Sequence, residues 1–562
     1  MSKSNYFDVI VVGSGISGGW AAKEFCEKGL KTLVIERGKS VKHIKDYPTA
    51  NLDPWEFEHR GQLTLAEKEE NPIASKCYAF KEDAIHFFLK DNEQEYIQEK
   101  PFDWIRADAV GGKSLLWARQ VQRWSDYDFE GPARDGFAVD WPIRYKDIEP
   151  WYTYVEKFIG VAGNRDNNRM MPDGHFLPAF EMNAVEKMIK QKIETAYTDR
   201  SVIQGRCAHI TSPQPIHIAQ GRTQCQARSL CQRGCPFGGY FSSNASTLPW
   251  AEKTGNLTLK ANKIVHSILY DEQSQKAKGV LVIDRETKQS EEYYARIIFV
   301  NASALNTNLI LLNSKSKRFP NGLGNDSGLL GKFVAFHNYM GSLGGSVEGF
   351  EDKYYYGRRP TQPIIPNFRN VKKQEMDFLR GYASFFSAYR AAGVPTEGRQ
   401  VGGNYKDNML KLGGWHVGMM MQGETIPNES NHVRLSDELD QYGLPKLITS
   451  IGYSENDYKS MEDFLAQGAE MLERAGVKNI YINRSNQNPG LDIHEMGGVR
   501  MGRDPKTSLL NAYNQLHHCK NVFVTDGACM TSTGTQNPSL TYMALTARAA
   551  NHAISEMKKG NL

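Results

Sequence analysis

The sequence has no apolar run long enough to cross a bilayer, for which a helix needs about 20 apolar residues. The apolar stretch from Tyr6 to Val12 is short and leads into a glycine turn, with no small-residue cleavage site after it. Neither sign of charge is in large excess. The chain has 68 Lys and Arg residues and 64 Asp and Glu residues, which gives a net charge of +4. We therefore expect no transmembrane segment, no signal peptide of the chain's own and no nucleic-acid partner.

Internal repeats and low-complexity tracts are absent as well, which excludes repeat and fibrous architectures. A chain of 562 residues exceeds the size of one simple hydrophobic core. The length therefore predicts two domains, or one nucleotide-binding domain that carries large insertions. If distant segments return to one nucleotide, that domain must be discontinuous.

A strand, a glycine-rich turn, a helix and a second strand follow one another at the start of the chain. The β-branched run from Phe7 to Val12 is typical of a buried parallel strand. Gly13, Gly15 and Gly18 follow it as G-x-G-x-x-G, and Glu36 ends the second strand. In this context the glycines allow a tight turn, close approach to a pyrophosphate and helix packing, while the carboxylate can accept hydrogen bonds from a ribose. The pattern predicts a dinucleotide site and argues against NADP, whose 2′-phosphate the carboxylate would repel.

Further motifs lie along most of the chain. They comprise Glu36-Arg37-Gly38, 106–117 with its Gly111-Gly112-Lys113-Ser114 turn, 140–143, 147–150, 301–312, 322–325, 494–502, 524–527 and 535–541. In this order they resemble the glucose-methanol-choline (GMC) flavoprotein oxidoreductases. The resemblance implies an FAD-dependent enzyme that oxidises CH–OH groups.

The resemblance also implies a fold of the α/β class, α+β overall, with a Rossmann-like FAD-binding domain and a substrate domain on a mostly antiparallel sheet. We expect the discontinuous FAD-binding domain over 1–45, 103–125, 205–337 and 490–562. The substrate-binding domain and surface excursions are expected over 46–102, 126–204 and 338–489.

Cofactor contacts are assigned to the glycine turns, the strand ends and the start of the C-terminal helix. The expected residues are Gly13, Gly15, Gly18, Glu36, Arg37, Gly111, Gly112, Ser114, Ala302, Asp526, Gly527, Asn537 and Pro538. Some sugar oxidases of the family bind flavin covalently through a His two residues after the turn's Ser or Thr. Leu116 occupies that position and has no nucleophile. We therefore expect non-covalent FAD.

Alcohol oxidation requires that a hydride leaves carbon while a base takes the hydroxyl proton. A neutral histidine suits this role, because its unperturbed pKa lies near the working pH. The flanking motif identifies His494 as the catalytic base, and Asn537 as the partner that holds the substrate oxygen. His337 matches a further family position and is interpreted as structural.

Cys225, Cys231 and Cys235, followed by Pro236, lie close together in the sequence. Three thiolates in such a span can hold an iron–sulfur cluster. Their spacing resembles flavoprotein subunits of bacterial glucose dehydrogenases that carry a [3Fe-4S] cluster. Two alternatives remain open at this point. One is zinc with a fourth ligand from Cys207 or His209, and the other is a metal-free site with a disulfide or buried thiols.

Within the family, the His and Asn pair resembles pyranose oxidases, sugar dehydrogenases, gluconate 2-dehydrogenase large subunits and glucoside 3-dehydrogenases. The segments 356–360 and 365–370 resemble the last of these, and Tyr354 to Arg359 either line a sugar site or form a solvated loop. This favours oxidation of a glucoside at C3. The alternatives are another polyol or sugar-acid dehydrogenase, or a flavin-binding protein without turnover. A nicotinamide-dependent reductase is a third alternative, which the lack of a second glycine fingerprint disfavours.

The resemblance also implies partners for the chain. These are a small subunit with an export signal, and a cytochrome c or quinone as electron acceptor. The protein is therefore expected in the cytoplasm, or in the periplasm if the small subunit carries it there.

Overall fold

The fold is described from a computed structural model, which covers residues 5–353, 360–392 and 402–562. Strands and helices alternate along the first part of the chain, and a long helix closes it. The strands are β1 (Tyr6–Val12), β2 (Thr32–Ile35), β3 (Tyr96–Gln98), β4 (Ile203–Gln204), β5 (Leu257–Lys260), β6 (Lys263–Asp271), β7 (Lys276–Asp284), β8 (Ser290–Val300), β9 (His337–Asn338), β10 (Gly341–Val347), β11 (Pro363–Ile365), β12 (Tyr382–Ala392), β13 (Leu412–Glu424), β14 (His432–Leu439), β15 (Pro445–Ser450), β16 (Lys478–Arg484), β17 (Gln515–Leu516) and β18 (Cys519–Val524). The helices are α1 (Ile16–Glu27), α2 (Leu65–Glu70), α3 (Asp126–Asp135), α4 (Tyr145–Ile159), α5 (Ala184–Ala196), α6 (Pro215–Ala219), α7 (Thr247–Glu252), α8 (Ala304–Asn313), α9 (Gly403–Leu410), α10 (Glu455–Arg474) and α11 (Ser539–Lys558).

The first sheet has a parallel centre in the order β18, β8, β1, β2 and β5. Strand β2 and the second halves of β1 and β8 are apolar runs that are buried on both faces, as parallel strands under helices must be, whereas the edge strand β5 is only partly buried. The β6–β7 meander joins β8 in antiparallel fashion, and β17 pairs antiparallel to β18. This sheet confirms the expected Rossmann-like arrangement, in which ligands bind outside the carboxyl ends of the strands.

Two helices from opposite ends of the chain cover one face of this sheet side by side. Ala21 and Ala22 of α1 and Ala549 and Ala550 of α11 are all fully buried in the same cluster. Small side chains let the two helices pack closely against the sheet, where they are buried together with residues of β1. The N-terminus of α11 is thereby brought to the carboxyl edge of the sheet.

The second sheet is antiparallel throughout, in the order β16, β10, β13, β12, β11 and β4, with β9 beside β13. Helix α10 packs on it through Phe464, Leu465 and Leu472, which are buried with Met419 and Met421 of β13. The expected mostly antiparallel sheet is therefore present. The exact domain boundaries given above remain our proposal.

A third, smaller sheet joins distant segments, with β15 between β14 and β3. Between β2 and β3 the chain forms short 3-10 turns and helix α2. Across the described ranges, no helix combines the length and the apolar character that a membrane crossing requires.

Candidate active site

A cavity of about 830 Å³ lies at the carboxyl edge of the parallel sheet. The residues that follow the central strands line it, because parallel strands all end at the same edge. Most of the residues predicted for the site line the wall of this cavity. They are Gly13, Gly15, Glu36, Arg37, Gly112, Ser114, Ala302, Asp526, Gly527, Asn537, Pro538 and His494. The fold thus brings together segments that lie more than five hundred residues apart. Gly18 and Gly111 lie behind this wall.

The three glycines of the first turn have different surroundings. Gly13 has a φ of +91°, and a Cβ on it would lie 2.3 Å from the carbonyl oxygen of Asn301. A Cβ on Gly18 would lie 1.9 Å from the Gly13 carbonyl oxygen. Gly15, in contrast, has no atom within 4 Å of that position and opens onto the cavity. Packing therefore requires the outer two glycines, while the middle one leaves room for a ligand at the start of α1.

Glu36 is buried at the end of β2, where backbone and hydroxyl groups surround its carboxylate. One oxygen accepts from the Gly38 amide at 2.8 Å, and the other accepts from the Ser14 amide at 2.9 Å and the Ser14 hydroxyl at 2.6 Å. Burial raises the pKa of Glu36, while the hydrogen bonds from Ser14 and Gly38 oppose that rise. The carboxylate is thus held rigidly beside the cavity, where its remaining lone pairs can accept from a ribose.

The second glycine turn faces the first one. The Gly111 amide donates to the Ser14 hydroxyl at 2.8 Å, and a Cβ on Gly112 would lie 3.3 Å from Gly15 Cα. The Ser114 hydroxyl donates to the Gly111 carbonyl at 2.6 Å and accepts from the Ser243 amide at 3.0 Å. Ser114 therefore stabilises the turn, and the backbone around Gly112 is what faces a ligand.

Several polar atoms on this wall are buried without a hydrogen-bond partner among the described residues. They are Asn537 Oδ1, Glu495 Oε1, Arg37 Nε, Asn301 Nδ2 and the Tyr542 hydroxyl. Such atoms are costly unless a ligand satisfies them. The two glycine turns, the buried Glu36 and these atoms fit a dinucleotide such as FAD.

Asp526 and α11 close the far side of the cavity. One Asp526 oxygen accepts from the Thr307 hydroxyl at 2.6 Å and the other from the Ala528 amide at 3.0 Å. Burial raises the pKa of Asp526 to about 6. The first turn of α11, from Pro538 to Tyr542, lines the cavity, so that the positive end of the helix faces it. A flavin ring that becomes anionic on reduction would be stabilised there.

His494 lines the cavity and contacts a second histidine. His494 Nδ1 lies 2.8 Å from His337 Nδ1. His337 Nε2 lies 3.2 Å and 3.0 Å from the carbonyl oxygens of Thr533 and Gly534. Because carbonyl oxygens only accept, His337 Nε2 must carry a proton.

This contact fixes which nitrogen of His494 is free. Burial lowers the pKa of His337 to about 4, so the ring is neutral and its Nδ1 accepts. His494 Nδ1 must then donate to it, which leaves His494 Nε2 unprotonated. Burial, then His337 and Lys113, hold the pKa of His494 well below its usual value. His494 is thus a neutral imidazole with a free nitrogen at the cavity, as a proton acceptor requires.

Asp492 supports both histidines through their backbone. One oxygen accepts from the His337 amide at 2.9 Å and the His494 amide at 3.2 Å, and the other from the Gly490 amide at 3.1 Å. The ligand atoms of these three side chains lie within 4.8 Å of one another, as a metal site would need. However, hydrogen bonds already engage the carboxylate and three of the four ring nitrogens. The cluster therefore orients His494. This orienting role of His337 was not predicted from the sequence.

The antiparallel sheet supplies a polar wall opposite the nucleotide turns. Ser342, Gln422 and Asn483 project from neighbouring strands, and Tyr339 donates from its hydroxyl to Gln422 Oε1. Gln422 Nε2 in turn donates to the Thr535 carbonyl at 2.9 Å. Hydroxyl and amide groups in this arrangement suit a polyhydroxylated ligand. These residues were not predicted from the sequence, and the sugar-site candidates Tyr354 to Arg359 lie outside the described residues.

The cysteines of the predicted cluster line a second cavity of about 600 Å³. Cys225, Cys231 and Cys235 are partly exposed free thiols, and Cys231 Sγ lies 3.9 Å from His209 Nε2. Burial raises the pKa of Cys225 to about 11. Within the described ranges, these thiols, Cys207 and His209 do not form a group whose ligand atoms all lie within 4.8 Å. The zinc and disulfide alternatives therefore find no support in this geometry.

The chain matches known proteins along nearly its whole length. Family models described as GMC oxidoreductase match residues 7–332 and 427–546. The chain belongs to the GMC oxidoreductase family. This GMC protein is thus an FAD-dependent oxidoreductase that acts on CH–OH groups, in agreement with the cavity and with His494.

Individual relatives are distant but cover nearly the whole chain. The fructose dehydrogenase large subunit of Gluconobacter japonicus is 24% identical over 98% of this chain and 98% of its own. The 6'''-hydroxyparomomycin C oxidase of Streptomyces lividus is 25% identical over 98% of this chain and 92% of its own. A formate oxidase variant of Aspergillus oryzae RIB40 shares the fold, with a TM-score of 0.63, 12% identity and full coverage of both chains.

Proposed function

We propose that this protein is a dehydrogenase that oxidises a secondary hydroxyl of a sugar or glycoside, with C3 of glucosides as the favoured position. The observation that carries the proposal is the free Nε2 of His494 in a cavity shared by the nucleotide turns and a polar wall. The names of the two enzyme relatives, which describe proteins acting on fructose and on an aminoglycoside, support a carbohydrate substrate. The resemblance of 356–360 and 365–370 to glucoside 3-dehydrogenases favours C3.

The residues of this chain divide the reaction between them. FAD, when bound, supplies the acceptor for the hydride. His494 Nε2 takes the hydroxyl proton, which raises the electron density on oxygen and makes hydride departure easier. Asn537 can donate from its amide to the same oxygen and keep it beside the base. Tyr339 and Gln422 can bind further hydroxyls of the ring and so select its orientation.

A sugar panel tests the substrate class. The purified holoenzyme is assayed with glucosides, free sugars, polyols and gluconate, with an artificial dye as acceptor. NMR of the product then locates the new carbonyl. We expect the highest kcat/KM with a glucoside and a product with a 3-keto group. Turnover of gluconate alone would favour the sugar-acid alternative, and no flavin bleaching by any substrate would favour a protein without turnover.

We also propose that the three cysteines carry an iron–sulfur cluster, [3Fe-4S], which passes electrons from the flavin one at a time. Two observations support this. The thiols share one cavity wall, and that cavity adjoins the flavin cavity. A mononuclear ion needs closer ligands than a cluster, whose own iron and sulfur atoms span the gap. Iron and sulfide analysis of anaerobically purified protein tests the proposal, and the absence of both elements would contradict it.

A further part of the proposal concerns partners. We propose a small subunit that carries an export signal and takes the folded chain to the periplasm, where a cytochrome c or a quinone accepts the electrons. The name of the fructose dehydrogenase relative, a large subunit, supports a partner chain. Purification from the native host tests this, with a co-purifying small chain as the expected result. Recovery of this chain alone from the cytoplasm would contradict it.

A further inference from the structure

The second cavity adjoins the flavin cavity directly. The two cavities share the wall residues Tyr78, Ala118, Arg119, Gln120 and Gln362. A ligand in the second cavity would therefore lie only one layer of side chains away from a flavin in the first. The segment that carries Cys225, Cys231 and Cys235 also lines the second cavity.

The charge around this cavity has one sign. Arg119, Arg228 and Arg390 line it, and no Asp or Glu is among its described wall residues. Arg228 donates to the Ala50 carbonyl and Arg390 to the Gly413 carbonyl. None of the three arginines forms an ion pair with a carboxylate among residues 5–353, 360–392 and 402–562. A cavity that is lined by arginines and by no carboxylate is suited to bind an anion.

Arg119 is the most unusual of these residues. Its exposed fraction is only 6%, and its Nε and Nη1 are buried without a hydrogen-bond partner in the described structure. The guanidinium carbon lies 5.1 Å from the centre of the Tyr240 ring, and Tyr240 also lines the second cavity. A buried, unpaired guanidinium is unfavourable unless a ligand supplies the missing charge and acceptors. Its φ of 62° adds backbone strain of a kind often found at functional sites.

We propose that the second cavity binds an anion and that Arg119 is its buried counter-charge. Two kinds of anion fit this cavity, and both would be bound through their negative charge. The anion is either a soluble molecule with an anionic group, or a cluster that becomes anionic through the three thiolates that hold it. The proposal goes beyond the sugar reaction, because it concerns a ligand in the second cavity, although Arg119 borders both cavities.

The thiols in the cavity wall can report on anion binding without any turnover. Iodoacetate is an anion and iodoacetamide is neutral, yet both react in the same way. A thiolate sulfur bonds to the CH₂ carbon and iodide leaves, with no change of oxidation state. Cys225, Cys231 and Cys235 are partly exposed, whereas the other five cysteines are buried, so that peptide mass spectrometry can assign the reacting thiol. The rate ratio of the two reagents cancels any change in the thiol pKa, because both need the thiolate.

The experiment uses iron-free holoenzyme and compares its ratio with that of free glutathione. We expect iodoacetate to be favoured in the wild type, and we expect Arg119→Met to lower the ratio by about threefold or more, because one nearby charge is lost. Arg119→Lys keeps the charge and should keep the ratio. Arg296→Met removes an exposed arginine remote in sequence and should also leave the ratio unchanged. A wild-type ratio equal to that of glutathione, or an unchanged ratio in Arg119→Met, would overturn the proposal.

Protein that contains iron and sulfide is tested differently, since the cluster then protects the thiols from both reagents. The readout is the midpoint potential of the cluster, followed by EPR. We expect Arg119→Met to lower the potential relative to wild type and Arg296→Met, because a lost positive charge disfavours the added electron. Equal potentials in the three proteins would overturn the proposal. Neither arm uses the sugar, so that failure here and failure of the proposed sugar reaction are distinguishable.

Discussion

Replacing His337 gives the most specific test of the site, because His337 contacts the proposed base His494 but does not line the cavity. Replacing it with alanine removes the acceptor that lies 2.8 Å from His494 Nδ1. Without this acceptor, His494 can place its proton on either nitrogen, and the Nε2–H form cannot accept the substrate proton. A neutral hydrogen bond is worth about 0.5 to 1.5 kcal/mol. Because about 1.4 kcal/mol corresponds to a factor of ten in rate, we expect flavin reduction to slow by a factor between about two and about ten.

The pH dependence gives a second, independent result from the same variant. Burial and the neighbouring His337 hold the pKa of His494 well below its usual value, so that wild type should keep its activity in mildly acidic solution. In His337→Ala both causes weaken, because the neighbouring ring is lost and water can enter. The pKa of His494 should rise towards its ordinary value of about 6.5. Activity is lost when the base is protonated, so the acid limb of the pH profile should move to higher pH.

The assay is anaerobic stopped-flow reduction of the flavin by a saturating sugar, measured across the acid limb. His337→Asn is the conservative comparison, since its side-chain oxygen can accept close to the position of Nδ1. It should retain more activity than His337→Ala. His59→Ala removes an exposed histidine and serves as the control. Equal rates and equal acid limbs in wild type and His337→Ala would refute the positioning role.

Three further predictions concern FAD and the glycine turn of its binding site. Acid precipitation should release all the yellow colour, since Leu116 cannot form a covalent link, and coloured precipitate would contradict non-covalent FAD. Gly15→Ala should weaken FAD binding but leave the melting temperature of the flavin-free protein near that of wild type, because its Cβ would meet no atom within 4 Å. Gly18→Ala should instead destabilise the flavin-free protein, by about 1 to 3 kcal/mol in chemical denaturation, since its Cβ would lie 1.9 Å from the Gly13 oxygen. Equal melting temperatures for the two glycine variants would contradict this division of roles.

The local elements were largely predictable from the sequence. A β-branched run, three spaced glycines and a terminal acid indicated β1, the turn, α1 and β2, because each depends on neighbouring residues. The bounds were less exact. The sequence predicted a helix after the glycine turn, whereas α1 begins at Ile16, within the glycine pattern itself.

The contacts between remote segments were not predictable in the same way. His337 lies 157 residues before His494, and the pairing of β9 with β13 together with the Asp492 carboxylate places it against His494. Arg119 follows the second glycine turn, and nothing in its local sequence indicates that its guanidinium is buried without a partner. Burial and hydrogen-bond satisfaction are properties of the packed chain. The signal that was available for His337 was its family position, which did not distinguish support of the base from packing.

The central claim is that His494 takes up the proton of the substrate hydroxyl. It is tested most directly by anaerobic stopped-flow reduction of the flavin in His494→Ala at saturating sugar, with FAD content measured in the same sample. We expect FAD to remain bound and the reduction rate to fall by about 10²-fold or more, the scale for loss of a positioned base. A rate close to that of wild type, with FAD in place, would contradict the account.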